Sequence, residues 1–144
     1  MTSNGNTSHR CDLLCPVAHL MRGVPPFVDP ESTLRTAAQA MVAQGMGVAV
    51  VLGPEGPSSI VTDRDIVSAL AQRADPDTVW IADVASSDLI AVGPTTSVLE
   101  AIRRMASKRI RHIPVKENGE IVGLVVSEDI VHLVGAESSG TSTA

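Results

Sequence analysis

The chain has almost no aromatic residues. Phe27 and Trp80 are the only two in 144 positions, and tyrosine is absent. The core must therefore be built from Val, Ile, Leu, Ala and Met, within a hydrophobic fraction of 44%. Long apolar runs are missing as well. No stretch approaches the roughly 18–20 residues that cross a bilayer. The polar first nine residues lack the apolar segment of a secretory signal. The expectation is a cytoplasmic protein that makes no membrane contact. Cysteine is scarce, with Cys11 and Cys15 alone, and two thiols in that compartment are expected to be reduced. Excess positive charge is also absent. A net charge of -5 argues against nucleic-acid binding through bulk charge. The basic residues are still uneven, because Arg103, Arg104, Lys108, Arg109, Arg111 and Lys116 are six of the eleven.

What the chain does contain is a repeat. Asp65-Ile66-Val67 returns as Asp129-Ile130-Val131, 64 positions later. At that offset Val61 meets Val125, Val51 meets Val115, Met41 meets Met105 and Pro30 meets Pro94, with no gap. The chain is two copies of one unit, and the fold has to be read from that. Each copy is near the size where independent folding becomes marginal, so the two are expected to share a core.

Residues 1–15 read as an extended or disordered N-terminal segment, 16–74 as the first unit, 75–135 as the second and 136–144 as a disordered tail. In the first unit, 17–21 reads as a short helix behind Pro16, and a brief extended piece surrounds Phe27 and Val28. Ser32 or Thr33 opens a helix whose apolar side is Leu34, Ala37, Ala38, Met41 and Val42. Gly45 closes that helix. Residues 48–52 are an unbroken apolar run, as in a strand covered on both faces. A Gly/Pro turn leads to a strand at 58–62 and a helix at 63–73, with Ile66, Val67, Ala69 and Leu70 apolar. The second unit repeats the order: 81–85, an extended 89–92, a helix at 97–108, strands at 111–116 and 121–126, and a helix at 127–134. Asn118-Gly119 is a strong hairpin turn. The fold class is mixed α+β: two β-α-β-β-α units, packed sheet to sheet about a pseudo-twofold axis with two related clefts.

Thr62 and Asp65 stand three apart where a strand gives way to a helix. A hydroxyl and a carboxylate there can cap free backbone N–H groups. They can equally hold the hydroxyls and phosphate of a nucleotide. The spacing leaves both readings open. His9, Cys11, Cys15 and His19 put four zinc-type donors within eleven residues, yet Pro16 interrupts any single helix that would present them. No metal is the expectation, with Cys11, Cys15 and His19 as weak candidates. Trp80 reads as a packing anchor between the copies. No activated nucleophile, acid–base pair or cofactor loop can be assembled, so the chain does not read as an enzyme.

In Val17-Ala18-His19-Leu20-Met21, Val28-Asp29-Pro30, Ile60-Val61-Thr62-Asp63-Arg64-Asp65-Ile66, Arg111-His112-Ile113-Pro114-Val115 and Gly123-Leu124-Val125-Val126-Ser127-Glu128-Asp129-Ile130, the chain resembles a tandem pair of cystathionine-β-synthase (CBS) domains. Such a pair is often called a Bateman module. The resemblance covers residue 16 to about residue 133. It implies a stand-alone regulatory module that binds an adenosine-containing ligand in the inter-domain cleft. That ligand is AMP, ADP, ATP or S-adenosylmethionine, and no cofactor is required. The signal passes through a conformational or oligomeric change. By the resemblance, Asp65 holds ribose hydroxyls, Thr62 lies near phosphate with Arg64 in the same stretch, and Arg111 and His112 reach phosphates. Asp129 is the second copy's carboxylate. A flat homodimer is implied, with helices rich in Ala and Met as its interface, along with a protein partner of unknown identity.

The copies depart from each other. Val126 stands where Thr62 stands, Gly47 and Val48 replace Arg111 and His112, Ser59 replaces Gly123, and His19 replaces Asp83. One working cleft is therefore favoured over two. Two other readings remain: an interaction module with degenerate clefts, and a zinc- or redox-responsive variant acting through Cys11 and Cys15.

Overall fold

The computed structural model describes residues 11–85 and 88–142, with side chains as far as residue 135. Thr33 opens the first helix, α1 (Leu34–Gln44), where its side chain accepts the backbone N–H of Thr36. Gly45 closes α1 in the left-handed region at φ 64°. At the repeat offset, Ser97 accepts the N–H of Glu100 at the head of α3 (Val98–Lys108), and Arg109 takes the place of Gly45 at φ 56°. The copies thus share a backbone even where a side chain is less suited to it.

The strands repeat in the same way. β2 (Val48–Gly53) pairs antiparallel with β3 (Gly56–Thr62), and β4 (His112–Glu117) pairs antiparallel with β5 (Glu120–Val126). Both hairpins carry an irregularity at the equivalent step, between Val51 and Leu52 and between Val115 and Lys116. Asn118 and Gly119 take φ 52° and 82°, the two positive values that the expected tight turn demands. β1 (Phe27–Val28) adds a parallel strand beside β2. Its counterpart Val92 makes only one parallel bridge, to Val115. The result is a three-stranded sheet ordered β1-β2-β3 and a two-stranded sheet. With α2 (Asp63–Ala71) and α4 (Ser127–Ser142), the fold is mixed α+β, with four α-helices and two small sheets among the described residues.

α4 continues beyond residue 134, where the apolar pattern stops. Residues 136–142, expected as part of a disordered 136–144 tail, belong to that helix instead, and the rest of the expected disordered ends, 1–10 and 143–144, lies outside the described residues. The segment Cys11–Cys15, expected to be extended or disordered, forms a turn instead. Val98 N–H donates to the Cys15 carbonyl (2.9 Å) and Leu99 N–H to the Leu13 carbonyl (2.8 Å), so the turn seats on the N-terminus of α3.

The chain forms two compact units, Val24–Ile90 and Met1–Gly23 joined with Ala91–Ala144. Each sequence copy lends its leading short helix to the unit holding the other copy's hairpin. Val17 N–H bonds the Thr96 carbonyl (2.8 Å), and Ile81 N–H bonds the Ser32 carbonyl (2.7 Å), the same bond displaced by one repeat. In the 24–90 unit, Leu34, Ala37, Met41, Ala49, Val51, Val61, Ile66 and Ile81 form the core. In the other unit, Val17, Val98, Ala101, Met105, Ile113, Val115, Val125 and Ile130 do so. β2 is buried on both faces, as its unbroken apolar run requires.

Some apolar positions are not core. Val42 is 82% exposed, Val67 65% and Leu70 45%, so the buried stripe of each first-copy helix is narrower than its sequence pattern. Met41 and Met105, on the apolar sides of the Ala- and Met-rich helices α1 and α3, are buried within their own units at 5% and 6% exposure. Helix packing onto the sheet uses both methionines as filler.

Candidate functional site

At the junction of β3 and α2, Thr62 and Asp65 cap the helix. Thr62 Oγ1 accepts the N–H of Asp65 (3.2 Å), and Asp65 Oδ2 accepts the N–H of Thr62 (2.9 Å), a complete capping box. Capping does not exhaust either side chain. Among the described residues Asp65 Oδ1 accepts no hydrogen bond, and the Thr62 hydroxyl still has its proton to donate. Both side chains are partly exposed. The two readings are compatible because each residue has two polar functions and the cap uses one.

Asp65 also lines a half-open cavity of about 390 Å³ lying wholly in the 24–90 unit. Ser68, Gln72 and Asp83 supply its other polar side chains, with Ala69 and Val84 among the apolar ones. Two carboxylates and no basic side chain line it. Such a wall accepts hydroxyl and amino donors and repels phosphate. Arg64 is exposed beside it in sequence, with its N–H held by Asp63 Oδ1 (2.8 Å).

The second copy is built differently. Asp129 occupies the position of Asp65, but both of its oxygens are taken. Arg22 Nε donates to Oδ2 (2.8 Å) and Nη2 to Oδ1 (3.0 Å). This two-pronged pair holds the Asp129 carboxyl below the ordinary carboxylate range; burial opposes the shift, and the positive charges of Arg22 and His132 add to it. Glu128 stands 3.7 Å from the same guanidinium. Val126 offers no hydroxyl. Arg22 reaches this place because the backbone at 22 pairs with Leu124 in both directions, with N–H to carbonyl distances of 2.7 and 3.2 Å. Gly123 permits the approach: a Cβ there would stand 2.8 Å from the Arg22 carbonyl oxygen and 2.6 Å from Met21 Sδ.

Arg111 is exposed, and its carbonyl accepts the Ser127 N–H at the head of α4 (2.9 Å). Gly47 does the same for Asp63 in the first copy (2.9 Å). His112 is half-buried at the start of β4, opposite Val126. Thr62, Arg64 and Asp65 belong to one unit, and Arg111, His112 and Asp129 to the other. Cys11 and Cys15, expected as free thiols, are joined as a disulfide, with Cα atoms 5.5 Å apart. The turn around Asp12 brings them together, and His19 lies beside them. The Trp80 backbone pairs with Thr33, and its side chain is 47% exposed.

Sequence reasoning missed Arg22 altogether. Its partner lies 107 positions away, and the equivalent position in the other copy is Ser86, so the repeat gave no hint. Asp83 was noted only as the counterpart of His19, and its place beside Asp65 needed the fold.

A model of the CBS domain matches residues 17–72 and again 81–136. The chain belongs to the CBS domain family and carries the domain as a tandem pair. The CBS domain-containing protein YhcV of Bacillus subtilis is 31% identical over 117 residues, which is 80% of this chain and 83% of that protein. The uncharacterized protein MK0525 of Methanopyrus kandleri is 34% identical over 107 residues, 72% of this chain. This chain spans 55%, 37% and 44% of the length of that protein, of a 33.4 kDa protein from Thermofilum pendens and of MJ1225 from Methanocaldococcus jannaschii. Among solved structures, the CBS domain protein PAE2072 from Pyrobaculum aerophilum, complexed with AMP, matches with a TM-score of 0.72 at 29% identity. The match covers 83% of this chain and 98% of that one. A conserved protein from Pyrococcus horikoshii matches with a TM-score of 0.75 at 26% identity, over 85% and 94% of the two chains. No helix among the described residues is long and apolar enough to cross a membrane.

Proposed function

We propose that the chain is a regulatory module, not a catalyst, and that it binds an adenosine-containing ligand through the Thr62–Asp65 end of the 24–90 unit. The observation that carries this reading is the unspent Oδ1 of Asp65 beside a cavity with no basic lining. A carboxylate so placed accepts the paired hydroxyls of a ribose. The relative PAE2072, crystallised with AMP, supports an adenine nucleotide as the class of ligand. The signal is proposed to leave through a homodimer or a protein partner.

A second reading, an interaction module without a ligand, is favoured at one of the two equivalent positions. Both oxygens of Asp129 already accept from Arg22, so a ribose there would have to share or displace that pair. Titration calorimetry of the parent with AMP, ATP and S-adenosylmethionine separates the readings. Saturable heat with one of them supports the sensor. No heat with any of them leaves the interaction module.

A further inference from the structure

The turn at Cys11–Cys15 has a counterpart in the other unit, and the two are clamped by different chemistry. In the 24–90 unit, residues 75–79 seat on the head of α1, where Leu34 N–H bonds the Val79 carbonyl (3.2 Å). One repeat earlier in the chain, Cys15 takes the part of Val79 and bonds Val98. The 75–79 turn is fastened to its helix by an ion pair between Arg35 and Asp77. At the repeat offset those two positions are Leu99 and Leu13, which cannot form one. Cys11, Cys15 and His19 occupy the positions of Asp75, Val79 and Asp83. The side-chain donor atoms of Cys11, Cys15 and His19 lie within 4.8 Å of one another.

We propose that the reduced turn is a zinc site, with Cys11 Sγ, Cys15 Sγ and one imidazole nitrogen of His19 as ligands. A tetrahedral zinc ion with Zn–S near 2.3 Å and Zn–N near 2.1 Å holds such atoms roughly 3.5–3.8 Å apart. Opening the disulfide lets the sulfurs separate to that spacing. Thiolate and imidazole together select zinc over magnesium or calcium. The turn is set before metal arrives: Asp12 Oδ1 accepts the Leu14 N–H (2.9 Å), and the Asp12 carbonyl accepts the Cys15 N–H (3.1 Å). The cysteines are partly buried and His19 is exposed, so an ion can enter from solvent. Three protein donors leave the fourth position to water.

The two states interconvert by a two-electron step. A dithiol reductant gives two electrons and two protons to the Cys11–Cys15 bond and becomes a disulfide itself. Zinc then binds both thiolates and displaces their protons to solvent. A peroxide reverses the step: it takes two electrons from the thiolates and, with two protons, becomes two waters, while the disulfide re-forms and zinc leaves. Either state closes the turn on itself, one through metal shared with His19 and one through sulfur.

Zinc uptake by the full chain, reduced with a dithiol and then dialysed, tests the site. About one zinc per chain is expected, with Cys11→Ser and Cys15→Ser each weakening binding by about 100-fold and His19→Ala by about tenfold. Peroxide should release the metal from the parent. Cobalt(II) gives a readout that needs no variant: thiolate-to-cobalt charge-transfer absorption should appear on the reduced parent and vanish with peroxide. The proposal is overturned if the reduced parent takes up no more zinc than the double cysteine variant, or shows no charge-transfer band. Parent-like zinc binding by His19→Ala overturns the three-donor assignment.

Discussion

Arg22 bonds both oxygens of Asp129, at 2.8 and 3.0 Å, while Asp65, one repeat earlier, keeps Oδ1 unbonded among the described residues. Two carboxylates equivalent in sequence are thus inequivalent in chemistry. One is bound into an ion pair and the other remains available.

The Arg22–Asp129 pair should register as a pH-dependent stability term. The folded Asp129 carboxyl titrates below its unfolded value, chiefly because Arg22 bonds it. Its contribution is therefore present above the ordinary carboxylate pKa of about 3.9 and is lost as pH falls through the lowered folded value. The guanidinium is 36% exposed and the carboxylate 26%, so solvent screening keeps the term small. Asp129→Asn should cost about 0.5–1 kcal/mol, a fall in Tm of about 2–4 °C, steady from neutral pH to about pH 5. Thermal melts across pH should show the gap to the parent narrowing below about pH 4. A gap that widens on acidification would contradict the assignment.

Gly123 should be intolerant where its counterpart Ser59 is not. Alanine at 123 drives a Cβ into the Arg22 carbonyl and Met21 Sδ. Relieving that contact displaces the segment carrying Arg22, at a cost of about 1–3 kcal/mol. Gly123→Ala should melt several degrees below the parent, with Ser59→Ala near it. Equal melting of Gly123→Ala and the parent would show that the approach is not tight in solution.

The exposed apolar residues predict an interface on α2 and α4. Val67 and Val131 are 65% and 68% exposed, and Leu70 and Val134 are both 45% exposed, each pair one repeat apart. We expect a dimer in sedimentation at tens of micromolar, a rough working range, and a monomer when Val67→Glu and Val131→Glu are combined. A monomeric parent would remove the homodimer from the account.

Much of the fold was legible because the repeat imposes one backbone twice. The helix start at Ser32 or Thr33, the Asn118-Gly119 turn, the buried run at β2 and the strand-to-helix junctions all follow from local pattern. The second copy's first strand was less legible. An extended 89–92 shrinks to one bridge at Val92, since two or three residues carry no periodicity to read. The Cys11–Cys15 turn was misread as extended because its order comes from hydrogen bonds to α3, eighty-odd residues onward. The candidate site was legible in its residue types and not in their availability. Nothing near Asp129 in sequence announces Arg22, and nothing near Asp65 says that its cap uses a single oxygen.

The most direct measurement is calorimetric titration of AMP into the parent, Asp65→Ala and Asp129→Ala, with melting recorded beside each. Loss of a hydrogen bond to a charged group costs roughly 1.5–3 kcal/mol, so Asp65→Ala should bind about ten- to a hundred-fold more weakly. Removing the Asp65 half of the capping box should by itself cost stability of roughly 0.5–2 kcal/mol, which the melts measure separately. Asp129→Ala should bind AMP within about twofold of the parent, a difference of only ~0.4 kcal/mol. Parent-like binding by Asp65→Ala, or a larger loss in Asp129→Ala, would contradict the assignment of the ribose carboxylate to the first copy.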